Sequence, residues 1–338
     1  MKLATYKDGT RDGQLVVVSR DLGTAHYATG IASRMQQALD DWGFIAPQLQ
    51  DLYETLNHGK ARHAFPFDPA LCMAPLPRAY QWVAGSAYLS HVTTVRAAHH
   101  IDLPNDTLET DPLMHQGSGD SFVGPQADLH CGNEAMGLDF EAELAVITGD
   151  VPMGATPDEA LEAVRLVALV NDVTLRMVAK NELPKALGYV QSKPMTAFSP
   201  VAVTLDELGD AWDSGRVRLT VQSTVNGRKV GMCDAGADMA FHFGQLMAHV
   251  SKTRPVRAGS VIGSGAVSNA PTENKGKHEW PKGASCLMEK RAIEILLDGQ
   301  ASTAYLKHRD SVRIEAKGKD GQSVFGAIDQ EVTLLSQT

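Results

Sequence analysis

Residues 140–147 read Phe-Glu-Ala-Glu-Leu-Ala-Val-Ile, an apolar run interrupted by two carboxylates at alternate positions. In a strand, successive side chains point to opposite faces, so Glu141 and Glu143 share one face while Phe140, Ala142, Leu144 and Val146 take the other. Ala145 and Ile147 then continue the carboxylate face as apolar positions, unlike the polar row of a solvent-facing strand. A second run, residues 166–173, is continuously apolar up to Asn171 and Asp172 and predicts a central strand. An acid closing such a run has to find a partner.

The flanking pattern predicts the rest of the architecture. Asp8-Gly9 and Asp12-Gly13 offer turn chemistry around the β-rich residues 15–19, and residues 31–39 repeat apolar positions at helical spacing. A second helix is expected through Leu49, Leu52, Tyr53 and Leu56, closed by Asn57-His58-Gly59. Pro66, Pro69, Pro75 and Pro77 exclude a helix or central strand over residues 65–77. That stretch reads as a linker, giving a small N-terminal α/β domain over 1–75 and a main domain over 76–338.

Within the main domain, strands predominate. Thr156, Pro157, Asp158 and Glu159 predict a helix over 156–164, and another is expected over 241–250. Asn226-Gly227 between two strand-like runs predicts a type I′ hairpin. Residues 255–259 turn into Val261-Ile262 and a glycine-broken loop from Gly263 to Asn269, where no helix start follows the glycines. The loop is therefore expected to bring backbone close to a ligand or a neighbouring strand, not to cradle phosphate. With no regular βαβ alternation and no dinucleotide fingerprint, the chain reads as α+β and β-rich, a closed or sandwiched mixed β-structure.

Composition narrows the partners. Forty acids against 31 bases give a formal charge of −9 without a basic stripe, which argues against nucleic acid or an anionic membrane as partner. Cys72, Cys131, Cys233 and Cys286 lack zinc or disulfide spacing and read as buried filler. No apolar leader and no 18-residue apolar stretch occur, so a cytoplasmic chain is expected. Two readings of Glu141 and Glu143 stand at this point: the wet face of a strand, or two carboxylates about 7 Å apart that require a hard divalent cation.

Four segments together resemble the fumarylacetoacetate hydrolase family. They are Asp139 to Ala145, Val170 to Arg176, Gln191 to Pro194, and Gly263 to Ser268, within a resemblance covering roughly 76–335. The resemblance implies a β-roll catalytic domain, a homodimer, and a divalent metal. Its activity would be hydrolysis of a carbon–carbon bond in a small-molecule 1,3-diketo acid. It carries the metal carboxylates over to Glu141, Glu143 and Asp172, an all-oxygen set suiting Mg²⁺ first, with Ca²⁺ or Mn²⁺ as alternatives. Lys193 matches an oxyanion-stabilising lysine, His91 a water-activating base in Tyr88-Leu89-Ser90-His91, and Glu289 the carboxylate orienting it. Tyr88, His115, Arg176, Gly265 and Ala266 fall at substrate-binding positions.

Departures from the family pattern bear on the substrate more than on the metal. Ala84 stands where animal members carry a further metal carboxylate, His115 where relatives have a tyrosine, Ala266 for a threonine, and Ala179 for a substrate-contacting glutamine. Two alternatives share the scaffold: a decarboxylase or tautomerase of 2-oxo acids, and a catalytically impaired ligand-binding relative.

Overall fold

Alternating residues of the strand Ala142–Thr148 enter two different cores. Ala142, Leu144 and Val146 join one, while Ala145 and Ile147 join the other, so both faces of the strand are buried. The computed structural model describes residues 1–101 and 108–335. In it this strand lies inside an eleven-stranded sheet, paired antiparallel with Val164–Asp172 on one side and Val261–Gly263 on the other. Beyond Val261–Gly263 come Trp82–Gly85, in parallel, and then the antiparallel edge strand Met114–Gly117.

On its other side, Val164–Asp172 pairs with Thr196–Phe198 and Ala202–Val203, which leads to Lys2–Tyr6, Gln14–Val18, Thr24–Tyr27 and Phe65–Pro66. The residues before the proline-rich segment thus extend the same sheet. Thr24–Tyr27 is a strand beyond those expected there. Pro66 sits in the outermost strand, where a missing N–H costs no ladder bond.

One face of this sheet packs on the helices Met35–Asp40 and Trp42–Asn57 through Leu39, Ile45, Leu49, Tyr53 and Leu56. The opposite face packs on a five-stranded sheet through residues such as Val221, Val312, Ile314 and Ile328, and on the helix Phe243–Ser251. The result is the β-rich α+β sandwich that the patterning implied.

Local chemistry explains the connections. Asn226 and Gly227 have φ of 52° and 71°, the two left-handed residues that a type I′ turn requires. Thr156 and Glu159 form a capping box that opens the helix Pro157–Leu161. That helix ends earlier than its sequence pattern suggests, because Val164 already pairs with Thr148 as a strand. All four cysteines are buried and free. Among the described residues, no helix is long and apolar enough to cross a membrane.

Candidate active site

Where Ala142–Thr148 and Val164–Asp172 run side by side, the amide of Asp172 donates to the carbonyl of Glu141 across the ladder. Cross-strand pairing therefore sets the two carboxylates against each other, with Glu143 two residues further along the same face. All three are buried: Asp172 is 0 % and Glu143 1 % exposed. Lys193 answers the first two, its Nζ lying 2.6 Å from Asp172 Oδ2 and 3.1 Å from Glu141 Oε1. Glu141 Oε1 also accepts from Thr174 Oγ1 at 2.5 Å, and Thr196 Oγ1 donates to Asp172 Oδ1 at 3.0 Å.

Arg176 begins the helix Arg176–Glu182 and donates through Nε to Asp139 Oδ2 at 2.8 Å. Its Nη2 lies 2.9 Å from Glu141 Oε1 but out of hydrogen-bond alignment. Asp139 in turn accepts from the amides of Leu287 and Met288, which anchors the N-terminus of the helix Leu287–Asp298.

That helix carries Glu289 in its first turn, while His91 lies in the first turn of Leu89–Ala98. Between them, His91 Nδ1 stands 3.1 Å from Glu289 Oε2. Ser268 Oγ donates to Glu289 Oε1 at 2.5 Å, so both carboxylate oxygens are engaged. The imidazole keeps Nε2 for other chemistry and its side chain is 18 % exposed.

The charges are unbalanced. Asp139, Glu141, Glu143 and Asp172 are four acids facing two bases, Lys193 and Arg176, so full ionisation leaves an excess of two negative charges. Burial alone would raise Glu141, but Arg176, Lys193 and the Thr174 hydroxyl hold its carboxyl well below the usual range. Burial opposes Asp172 likewise, and Lys193 with His115 outweighs it, so its pKa is lowered. Glu143 bears the conflict: burial, then Asp172 and Glu141 beside it, push it well above the ordinary carboxylate range. Its Oε2 accepts one amide bond, from Gly265 at 3.0 Å.

This excess of two, on oxygen donors gathered around Lys193 and Arg176, fits a hard divalent cation. A second cluster, His91, Cys286 and Glu289, brings its donor atoms within 4.8 Å of one another. It fits a metal poorly, because Cys286 Sγ accepts from the Glu289 amide, burial keeps the thiol protonated, and Glu289 is already shared by His91 and Ser268.

A cavity of about 90 Å³ joins the two constellations, lined by Tyr88, His91, His115, Glu141, Glu143, Arg176, Tyr189, Lys193, Gly265 and Ala266 among others. Larger hollows exist, one of about 760 Å³ beside Asp12, Arg34 and Tyr80, but without converging buried acids and bases. Asp172 stands behind Lys193, and Glu289 behind His91. Tyr88 borders the cavity, yet its hydroxyl donates to the Ala235 carbonyl at 2.8 Å.

His115 Nε2 lies 3.7 Å from Asp172 Oδ2 without a hydrogen-bond partner. Gly265 has φ of 78°, and a Cβ there would stand 2.1 Å from the Gly85 carbonyl, so the loop does bring backbone against a neighbouring strand. Ala84 is fully buried in Trp82–Gly85, and Ala179 is buried in the helix beginning at Arg176 without reaching the cavity.

Residues 81–333 match the model of the fumarylacetoacetate (FAA) hydrolase C-terminal family, and residues 1–78 match that of fumarylacetoacetase N-terminal domain 2. The chain belongs to the fumarylacetoacetate hydrolase family. Over 164 residues it is 29% identical to a 2,4-didehydro-3-deoxy-L-rhamnonate hydrolase of Sphingomonas sp. (strain SKA58), covering 48% of this chain and 54% of that protein. Over 199 residues it is 25% identical to the oxaloacetate tautomerase YisK of Bacillus subtilis (strain 168), covering 58% of this chain and 61% of that protein. The chain thus spans little more than half the length of these relatives.

The fold is shared with the maleylpyruvate hydrolase from Sphingobium sp. SYK-6, at TM-score 0.62 and 16% identity over 99% of this chain and 100% of that one. It is shared too with a 2-hydroxyhepta-2,4-diene-1,7-dioate isomerase from Mycobacterium marinum, at TM-score 0.61 and 16% identity over 100% of both. The relatives matched by sequence thus include a hydrolase and a tautomerase.

Asp139, Thr174, Tyr189 and Ser268 were not singled out by sequence reasoning. Asp139 could have been, since it precedes the Glu141–Glu143 run as a third buried acid. Tyr189 sits in an irregular loop where periodicity carries no signal.

Proposed function

We propose that the protein is a divalent-metal-dependent hydrolase cleaving a carbon–carbon bond in a small 1,3-diketo acid of the acylpyruvate type. The observation that carries this reading is the convergence of an all-oxygen carboxylate face with a His91–Glu289 pair on one small cavity. Glu141, Glu143 and Asp172 would hold the ion, Mg²⁺ by preference. A loaded site of this kind supplies Lewis-acid polarisation of a carbonyl oxygen.

The remaining work falls to the chain's own side chains. Glu289 holds His91 by Nδ1, leaving Nε2 to take a proton from water. The resulting hydroxide adds to the carbonyl remote from the carboxylate. The carbon–carbon bond then breaks with its electron pair moving onto the adjacent carbonyl oxygen. Lys193 and Arg176 are the cations available to that oxygen and to the acid's carboxylate. The proton held on His91 returns to the carbon of the departing enolate, which restores the base.

The test is a metal-replete assay of acylpyruvates by loss of enol absorbance, with His91→Ala expected to remove hydrolysis. A second reading, keto–enol isomerisation of a 2-oxo acid, draws support from the similarity to an oxaloacetate tautomerase. It needs proton transfer at carbon but no activated water. Retained α-proton exchange in His91→Ala, without hydrolysis in the parent protein, would favour it.

A further inference from the structure

The cavity between the carboxylates and His91 holds about 90 Å³. Sites for drug-sized ligands occupy roughly 300–1,000 Å³, so the room here suits a short acid. One wall is built by a residue outside the expected set. Tyr189 packs edge-on against His115, ring centroids 4.8 Å apart, with Lys193 Nζ 6.0 Å from the tyrosine ring centre. Gly85, Gly265 and Ala266 also line the cavity, with backbone or a small side chain.

The loop carrying Tyr189 is tied at its ends. Glu182, closing one helix, accepts from the amides of Gln191 at 2.9 Å and Ser192 at 3.2 Å and from the Ser192 hydroxyl. The eight residues between are thereby pinned as a strap whose outer side exposes Leu187 and Val190 while Tyr189 turns inward. A substrate chain extending toward Tyr189 would have to displace its ring from both His115 and Lys193.

We infer that Tyr189, backed by His115 and held by the Glu182 latch, is a specificity-determining residue that restricts the site to short-chain oxo acids. This rests on the reading above that the cavity receives an oxo acid.

The test compares kcat/KM for acetylpyruvate and hexanoylpyruvate in the parent protein, Tyr189→Ala, Tyr189→Leu and Glu182→Ala, each checked for an intact melting transition. Thermal shifts of the Mg²⁺-loaded protein with pyruvate and with 2-oxooctanoate give a readout independent of turnover. The parent should favour the acetyl substrate by about tenfold or more, of the order one or two misfitting methylenes cost. Tyr189→Ala should shrink that ratio about tenfold, chiefly through the KM of the longer substrate, with the leucine and latch variants following in the same direction. Equal handling of both chain lengths by the parent, or an unchanged ratio in folded Tyr189→Ala, overturns the inference. If neither acylpyruvate is cleaved but pyruvate alone shifts the melting temperature, and Tyr189→Ala gains the 2-oxooctanoate shift, the hydrolase reading fails while the size restriction stands.

Discussion

Glu289 decides what His91 can do. Burial favours a neutral ring, but the adjacent carboxylate wins and raises the imidazole above the usual histidine range. A base of raised pKa is protonated, and idle, until the pH passes that value. Activity should therefore climb with pH through it, and Glu289→Gln should move this acid limb to lower pH while cutting the plateau by about 10²–10⁴-fold. A pH–rate profile with an unmoved limb would contradict the pairing. Linkage gives the sign for stability: the pair stabilises the fold fully below the unfolded histidine pKa and loses that contribution as pH rises through the folded one. At this scale, the burial of Glu141, Glu143 and Asp172 was legible because charge in an apolar run has few explanations. Tyr189 and Thr174 were not, since what they touch depends on how loops return to the sheet, which no local period encodes.

Among the elements, the two strands bearing the carboxylates followed from their own residues. Continuous apolar character announces burial on both faces, and Ala145 and Ile147 do lie in the second core as their position beside Glu143 requires. Less legible was the pairing of the first residues with Ala202–Val203, because that contact joins parts of the chain far apart in sequence; Thr24–Tyr27, beside Gln14–Val18, is only four residues long and too short to show a period. The helix over 157–161 shows tertiary pairing overriding a local pattern at Val164.

Two predictions belong to elements. Thr156→Ala removes the capping box and should cost about 1 kcal/mol, read as a lower melting temperature with kcat unchanged. Gly265→Ala forces a side chain onto a left-handed residue against the Gly85 carbonyl. The strain, about 1–3 kcal/mol, should displace the amide that Glu143 accepts, lowering both melting temperature and kcat. A fully active, equally stable Gly265→Ala protein would contradict that account of the loop.

For the whole molecule, one sheet carries the outer N-terminal strands at one end and the acid face near the other, with cores on both sides. Holding all of these buried acids ionised works against folding until a cation neutralises them. Divalent cations should therefore stabilise the protein, by about 2.7 kcal/mol at a hundredfold excess over the dissociation constant, with a matching rise in melting temperature. Glu141→Gln should weaken that rise by removing one of the three carboxylates. The central claim is tested most directly by acylpyruvate cleavage in the parent protein and in Glu141→Gln, each assayed with EDTA and then with Mg²⁺ restored. The expected result is Mg²⁺-dependent cleavage by the parent alone; full activity in EDTA, or undiminished Mg²⁺-dependent activity in Glu141→Gln, would contradict it.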